Sequence, residues 1–232
     1  NSVSAPWPSA LELVRARDNA KGLRLAYAPD IAAIGVDPEL ERICRTAAFG
    51  LADDCAVVEE VDFDLSDARE AYLTLRGEWM VGMQYRRLDN LDDFGTNLAG
   101  NVRSGLGISM HELAAAEDMR TRVWHRYRKL FESYDALLMP MSPVSQFPVK
   151  KNFPDVINGR KLENYVDWIA GAFLVTMAGI PAGSVPAGLS RAGLPVGLQV
   201  AGPRFAEPLI LGLGKLVQRA NPIGWPTWAS SH

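Results

Sequence analysis

The chain has 232 residues, 48% of them hydrophobic and 22% charged, with a formal net charge of −3. That balance fits a globular protein able to bury a substantial core. It argues against a nucleic-acid surface, which needs a clustered excess of lysine and arginine. The most basic stretch, Arg120 to Lys129, interleaves its charges with apolar residues at helical spacing and reads as the solvated face of a helix. Two cysteines, Cys44 and Cys55, are too few for a disulfide framework and read as reduced thiols of a cytoplasmic protein. No run of about eighteen apolar residues occurs, so no membrane partner is expected. The chain opens at Asn1 in a loop-like stretch with Pro6 and Pro8, which suggests clipping, an expression boundary or one half of a longer polypeptide.

In chain order, a loop-like segment (1–22) leads into a strand at Leu23 to Tyr27, LRLAY. Asp37-Pro38 supplies a cap and a helix-compatible proline, and apolar Leu40, Ile43, Ala47, Phe49 and Leu51 carry that helix to about Ala52. Ala56 to Phe63 is a second strand, so strand, helix and strand form a βαβ unit with parallel strands. Ser66 starts a helix that runs through Trp79 and Tyr85. The polar, glycine-rich span from Asn90 to Gly107 is expected to be loop. Ser109 and Glu112 form a capping box, S-x-x-E, that opens a long helix ending near Ser133. Its predicted buried side is Met110, Leu113, Ala114, Met119, Val123 and Leu130.

Ala136 to Met139, ALLM, is a short apolar strand, and Val144 to Lys161, with Pro148, Pro154, Asn158 and Gly159, is an extended loop. Leu162 to Ala178 is helical and apolar on all sides, which implies burial or a pocket wall. Gly183 to Ala187 and Val196 to Ala201 are strands apolar on successive residues and are expected inside a sheet covered on both faces. A last helix spans about Pro208 to Arg219, and 221–232 is a tail. The expected class is therefore α/β.

No self-contained catalytic constellation follows from the residues alone. His111-Glu112 lacks the second histidine of a zinc helix because Ala115 stands there, so neither a metal nor another cofactor is expected. Gly212-Leu213-Gly214-Lys215 lacks the strand and hydroxyl residue of a phosphate loop. Ser184, in A-G-S-V-P, lacks the frame of a nucleophile elbow and reads as a small residue in a crowded sheet. A pairing of Ser142 with Lys150 is left open by sequence.

Three stretches then carry a resemblance. Phe131-Glu132-Ser133-Tyr134-Asp135-Ala136-Leu137-Leu138-Met139-Pro140 is similar to an aromatic-Asp, apolar strand and proline of the amidase signature family. Ala178 to Gly188, AGIPAGSVPAG, resembles the family's helix-end G-x-P and following S-V-P strand. Gly193 to Gly202, GLPVGLQVAG, resembles its G-L-P-V-G-L-Q strand. Weaker similarity reaches back to the opening S-A-P-W, so the resemblance covers nearly all of 1–232. Within these motifs, Gly193 suits a positive φ, and Gln199, in an apolar strand, must hydrogen-bond if buried.

The resemblance implies the C-terminal portion of an amidase-signature domain: part of a mixed β-sheet with helices on both faces. It implies an amide hydrolase in which a serine attacks the carbonyl, a second serine on a cis peptide relays the proton, and a neutral lysine acts as base. No G-G-S-S-G-G-like stretch occurs between Asn1 and His232, so no catalytic residue is expected here. The chain is expected to supply scaffold and pocket, to be inactive alone, and to need the upstream half of the enzyme as partner. Trp168, Phe173 and Thr176 are the pocket-lining candidates, with ordinary core packing as the other reading of Trp168 and Phe173. At Thr176 the family usually has asparagine. The substrate class is a small-molecule amide.

The rival within the family is the glutaminase subunit of a tRNA-dependent amidotransferase, against which Ile169 argues, because that subunit carries an aspartate near this position. A non-catalytic scaffold or binding fragment is the reading from another class. Removing half of a continuous sheet would bare edges and apolar surface, so the chain is expected to pair with other protein or to aggregate, and a homodimer stays open.

Overall fold

The structure is a computed structural model that describes residues 19–53 and 55–224. Most of the opening segment (1–22) and of the tail (221–232) lies outside the described residues.

The strands are β1 (Ala20–Tyr27), β2 (Cys55–Glu60), β3 (Ala136–Pro140), β4 (Val156–Ile157), β5 (Arg160–Lys161), β6 (Ala182–Leu189) and β7 (Pro195–Ala201). Five of them build a mixed sheet in the order β2-β1-β3-β7-β6, and β4 and β5 form a separate small hairpin. The helices are α1 (Pro38–Phe49), α2 (Arg69–Gln84), α3 (Thr96–Leu106), α4 (Met110–Leu130), α5 (Ala170–Ala178) and α6 (Glu207–Ala220).

Strand β1 runs parallel to both β2 and β3, as expected for a strand–helix–strand unit, and β7 then pairs antiparallel with β3 and β6. Alternation along each strand sends side chains to two faces. Leu25, Tyr27, Leu138, Leu198 and Val200 pack with Leu40 and Ile43 of α1 and Ile210 and Leu213 of α6. Ala26, Leu137, Met139 and Ala201 pack with Phe173 and Leu174 of α5 and Val123 and Tyr127 of α4. The result is three layers, with helices on both sides of the sheet.

Local chemistry places the helix starts. The Asp37 carboxylate accepts from the amides of Glu39 and Leu40, and Pro38 occupies the first turn. The capping box is formed: Glu112 N–H donates to Ser109 Oγ, and Ser109 N–H donates to the Glu112 carboxylate. Gly193, at φ +73°, closes the turn between β6 and β7, with its amide donating to Ser190 C=O.

Four expectations change. The span read as loop from Asn90 to Gly107 is instead a 3₁₀ stretch (Tyr85–Asp93) followed by α3. Its glycines serve close helix packing: a Cβ on Gly105 would lie 2.2 Å from Gly77 O and 2.8 Å from Val81 Cγ2 on α2. The buried stripe of α4 is Ala116, Val123 and Tyr127, whereas Met110 and Ala114 are exposed. Strand β7 is covered on both faces, but β6 is an edge among the described residues, with Ser184 and Leu189 exposed. Pro186, which has no N–H to give, is tolerated at such an edge. Finally, only Ala170–Ala178 of the stretch from Leu162 is α-helix. It follows a 3₁₀ turn at Asp167–Ile169.

None of the described helices is long and apolar enough to cross a membrane. Several large apolar side chains are exposed on the α2–α4 side, including Trp79, Met83, Leu106 and Met110.

The Gly77–Gly105 contact gives a stability prediction. Gly105→Ala is expected to destabilise the protein by about 1–3 kcal/mol through overpacking. Gly100→Ala, on the same helix with nothing within 4 Å of the added Cβ, is expected to be neutral or mildly stabilising. Chemical-denaturation midpoints of the two variants provide the check.

Candidate functional site

Strand β3 ends at Pro140 next to the start of β7, so the loop leaving β3 and the turn entering β7 share one rim of the sheet. Two backbone ties fix that loop. Pro143 C=O accepts from the Asp37 amide at 2.8 Å, and Gln146 Nε2 donates to Pro195 C=O at 2.9 Å. Between them opens a cleft of about 320 Å³, walled by Leu40, Val144, Phe147, Trp168, Pro195 and Val196, with Ser142, Ser145 and Gln146 as its polar members. Trp168 stands edge-on to Phe147, with ring centroids 5.5 Å apart at 89°.

The segment carrying Trp168 is held by an ion pair that crosses the domain. Asp167, 4% exposed, accepts from Arg69 Nε at 2.8 Å and from the amides of Glu163 and Asn164, both at 3.0 Å. Burial alone would raise its carboxyl pKa. The Arg69 hydrogen bond and the two amides outweigh burial and hold the carboxyl below its ordinary range. Arg69 also pairs with Glu70 and Glu163. Sequence reading missed this pair because its members lie 98 residues apart. Asp167, one of two acidic residues (with Glu163) in the largely apolar stretch Leu162 to Ala178, was the available signal.

The three pocket candidates do not share one cleft. Trp168 lines the cleft just described. Phe173 is buried and stacked on Tyr72, with centroids 3.6 Å apart and planes within 4°. Thr176 is exposed and donates from Oγ1 to Ala172 C=O at 3.1 Å. It opens onto a second cleft of about 350 Å³ between α2, α4 and α5, lined also by Tyr72, Arg76, Trp79 and Met177. Helix α3 is tied to neighbouring segments: Asn101 Nδ2 donates to Tyr165 OH, and Asn97 bonds Asn152.

No described lysine is buried. The hydroxyl of Ser142 is engaged locally, donating to Val144 C=O at 2.8 Å. Ser190, the one buried serine among the described residues, accepts from the Leu194 amide in its turn. A serine base of the lysine type needs a desolvated amine, and the described residues assemble none. They also contain no cluster of three or more metal-ligating side chains. Cys44 is a buried free thiol whose pKa is pushed up to about 12 by burial and by Glu41, which leaves it protonated. Gln199 is buried, and its Oε1 has no partner among the described residues.

A three-layer α/β domain with an apolar cleft at the rim where β3 leaves and β7 enters defines the class structurally. A model of the Amidase family matches residues 4–211, and the chain belongs to that family. It is 27% identical over 215 residues to an acylamidase of Rhodococcus erythropolis, covering 89% of this chain and 44% of that relative. It is 28% identical over 236 residues to the A subunit of the glutamyl-tRNA(Gln) amidotransferase of Streptococcus equi subsp. zooepidemicus (strain H70), covering 90% and 47%. Among solved structures, it shares the fold of a bacterial aryl acylamidase of the amidase signature enzymes, with TM-score 0.77 and 23% identity over 93% of this chain and 48% of that one. The structure of a 6-aminohexanoate cyclic dimer hydrolase gives TM-score 0.78 and 21% identity, covering 94% and 48%. The chain thus spans about half the length of the relatives it matches.

Asp167 yields a pH prediction. A carboxyl held below its unfolded value stabilises the fold fully above that unfolded value, about 3.9, and loses the contribution as pH falls through the folded value. Asp167→Asn is expected to cost about 2–4 kcal/mol at neutral pH and to flatten the acid limb of stability below about pH 4. Thermal melts of both proteins from pH 3 to 7 measure this.

Proposed function

We propose that this chain forms one wall of the substrate site of an amide hydrolase that works through a serine acyl-enzyme. The reactive serines and lysine would come from polypeptide outside these residues. The observation that carries the reading is the cleft under Trp168, built on the family's own G-L-P-V-G-L-Q strand at Pro195 to Gly197. The bare β6 edge and the exposed apolar residues of α2–α4 support a second protein body lying against this one. We take that body to be the upstream half of the enzyme.

In this reading the outside serine attacks the amide carbonyl and a second serine passes its proton to a neutral lysine; that proton returns to the nitrogen as the C–N bond breaks and the amine leaves, and water then cleaves the acyl-serine ester. The chain described here orients the amide and excludes water. Trp168 gives the acyl group a rigid aromatic wall, Phe173 holds α5 in place by stacking on Tyr72, and Thr176 faces the second cleft. A small carboxamide or anilide fits a cleft of this size, and a cytoplasmic setting suits the reduced Cys44. Ile169, at the position where the resemblance puts the aspartate of a glutaminase subunit, favours a free-standing amidase.

The test compares the isolated 232 residues with the intact polypeptide that carries them, on a panel of carboxamides and anilides. The intact protein is expected to release ammonia or amine and the isolated chain is not. Hydrolysis by the isolated chain, with a serine-directed label landing between Asn1 and His232, would refute the assignment. In the intact protein, Trp168→Ala is expected to lower kcat/KM about ten-fold, the size of one lost aromatic contact.

A further inference from the structure

The two aromatic walls of the rim cleft are linked a second time, away from the cleft, through α3. That helix is seated by its buried Ala99 and Val102 and by the close contact of Gly105 with Gly77 on α2. Asn97 and Asn101 stand about one turn apart on it and share a face. Asn97 forms a reciprocal amide pair with Asn152. Its Nδ2 donates to Asn152 Oδ1 at 2.8 Å, and Asn152 Nδ2 donates back to Asn97 Oδ1 at 3.2 Å. Asn101 Nδ2 donates to the Tyr165 hydroxyl and, at 2.6 Å, to Asn97 C=O.

Both outer contacts fall close to a cleft wall. Asn152 follows Phe147 by five residues, and Tyr165 precedes Trp168 by three. Helix α2 closes the circuit, because its first residue, Arg69, holds Asp167 beside Trp168 while its Gly77 receives α3. A ring of contacts thus runs from α2 through α3 to the Phe147 loop, across the edge-on Phe147–Trp168 pair, and back to α2. The Asp167 bond fixes the Trp168 wall to α2, and the Gln146 bond fixes the Phe147 wall to the sheet. The asparagines instead fix one wall relative to the other. A reciprocal amide pair suits this task, since a shift or rotation of either residue breaks both of its bonds.

We propose that Asn97, Asn101 and Asn152 are positioning residues for the rim cleft. Through them α3 straps the Phe147 loop to the Trp168 turn and keeps the two rings in contact. The inference rests on the reading of that cleft as a substrate wall. A cleft whose aromatic walls are held together admits a flat, single-ring acyl group more readily than a fused-ring one.

The experiment uses the intact polypeptide with benzamide and 2-naphthamide as substrates. The wild type is expected to favour benzamide in kcat/KM. Asn97→Ala and Asn152→Ala are each expected to reduce that preference roughly five-fold, the size of one neutral hydrogen bond, chiefly through KM for the naphthyl amide. The double variant is expected to match the single ones, because all three remove the same pair. Gly100→Ala, on the same helix with open space around the added carbon, leaves the preference unchanged. A purely structural role would lower both substrates together and leave the ratio as it was. Hydrogen exchange read by mass spectrometry is free of turnover. In it, Asn152→Ala is expected to speed exchange several-fold across the strap, in residues 163–169, as well as in its own loop.

A ratio that does not move toward 2-naphthamide in either variant, or faster exchange confined to residues 145–155, would overturn the strap. Amide turnover in the same samples would leave the hydrolase reading intact. Coupled exchange in a protein that hydrolyses no amide would uphold the strap and sink the hydrolase reading.

Discussion

The structure depends on the burial of β3 between two unlike neighbours. All five residues from Ala136 to Pro140 are buried. On one side they pair parallel to β1, and on the other antiparallel to β7. Leu138 must satisfy the layer of α1 and α6, while Leu137 and Met139 satisfy the layer of α4 and α5. A polar residue anywhere in this strand would face desolvation with every backbone partner already taken. The change from parallel to antiparallel pairing at this strand also brings the exit of β3 and the start of β7 to one rim, and the cleft follows from that geometry.

The features written in local pattern were legible before the structure. LRLAY, ALLM and PVGLQVA are contiguous apolar strands, and Asp37-Pro38 and Ser109–Glu112 announce their helices because capping is a contact between residues two or three positions apart. What depends on distant contacts was not legible. Glycines between Asn90 and Gly107 look like loop composition, yet Gly105 is there because α2 passes within van der Waals contact of it. Strand β6 is apolar enough to suggest full cover, but its small residues can line an edge as well as a core. The stripe of α4 was misplaced at its start because periodicity says which residues share a face and not where the facing layer ends.

The candidate site follows the same division. Trp168 was a candidate through the family resemblance of its apolar stretch, and it lines the rim cleft. The aspartate beside it, which holds the turn through Arg69, was not legible, and neither was the contact of Arg76 with Tyr165 across 89 residues of sequence. Charged groups inside an apolar fold find partners through topology, so a single sequence shows only that an acid or a base stands where none is expected. Phe173 shows the converse: an aromatic residue on a pocket helix turns inward to stack on Tyr72, and its influence on a ligand would pass through the backbone it braces.

The loop from Met141 to Lys161 leaves one fixed strand and carries its own two-stranded hairpin, and it is tied down through backbone groups and two side chains, Gln146 and Asn152. Such anchoring is indifferent to most of the side chains in between. Substitutions and length changes in this segment can therefore redraw the cleft while the strand register and both helix layers stay as they are. In evolutionary terms, the shape of this rim and folding stability are decoupled here, and diversification among descendants of this scaffold should concentrate in that rim before it touches the sheet.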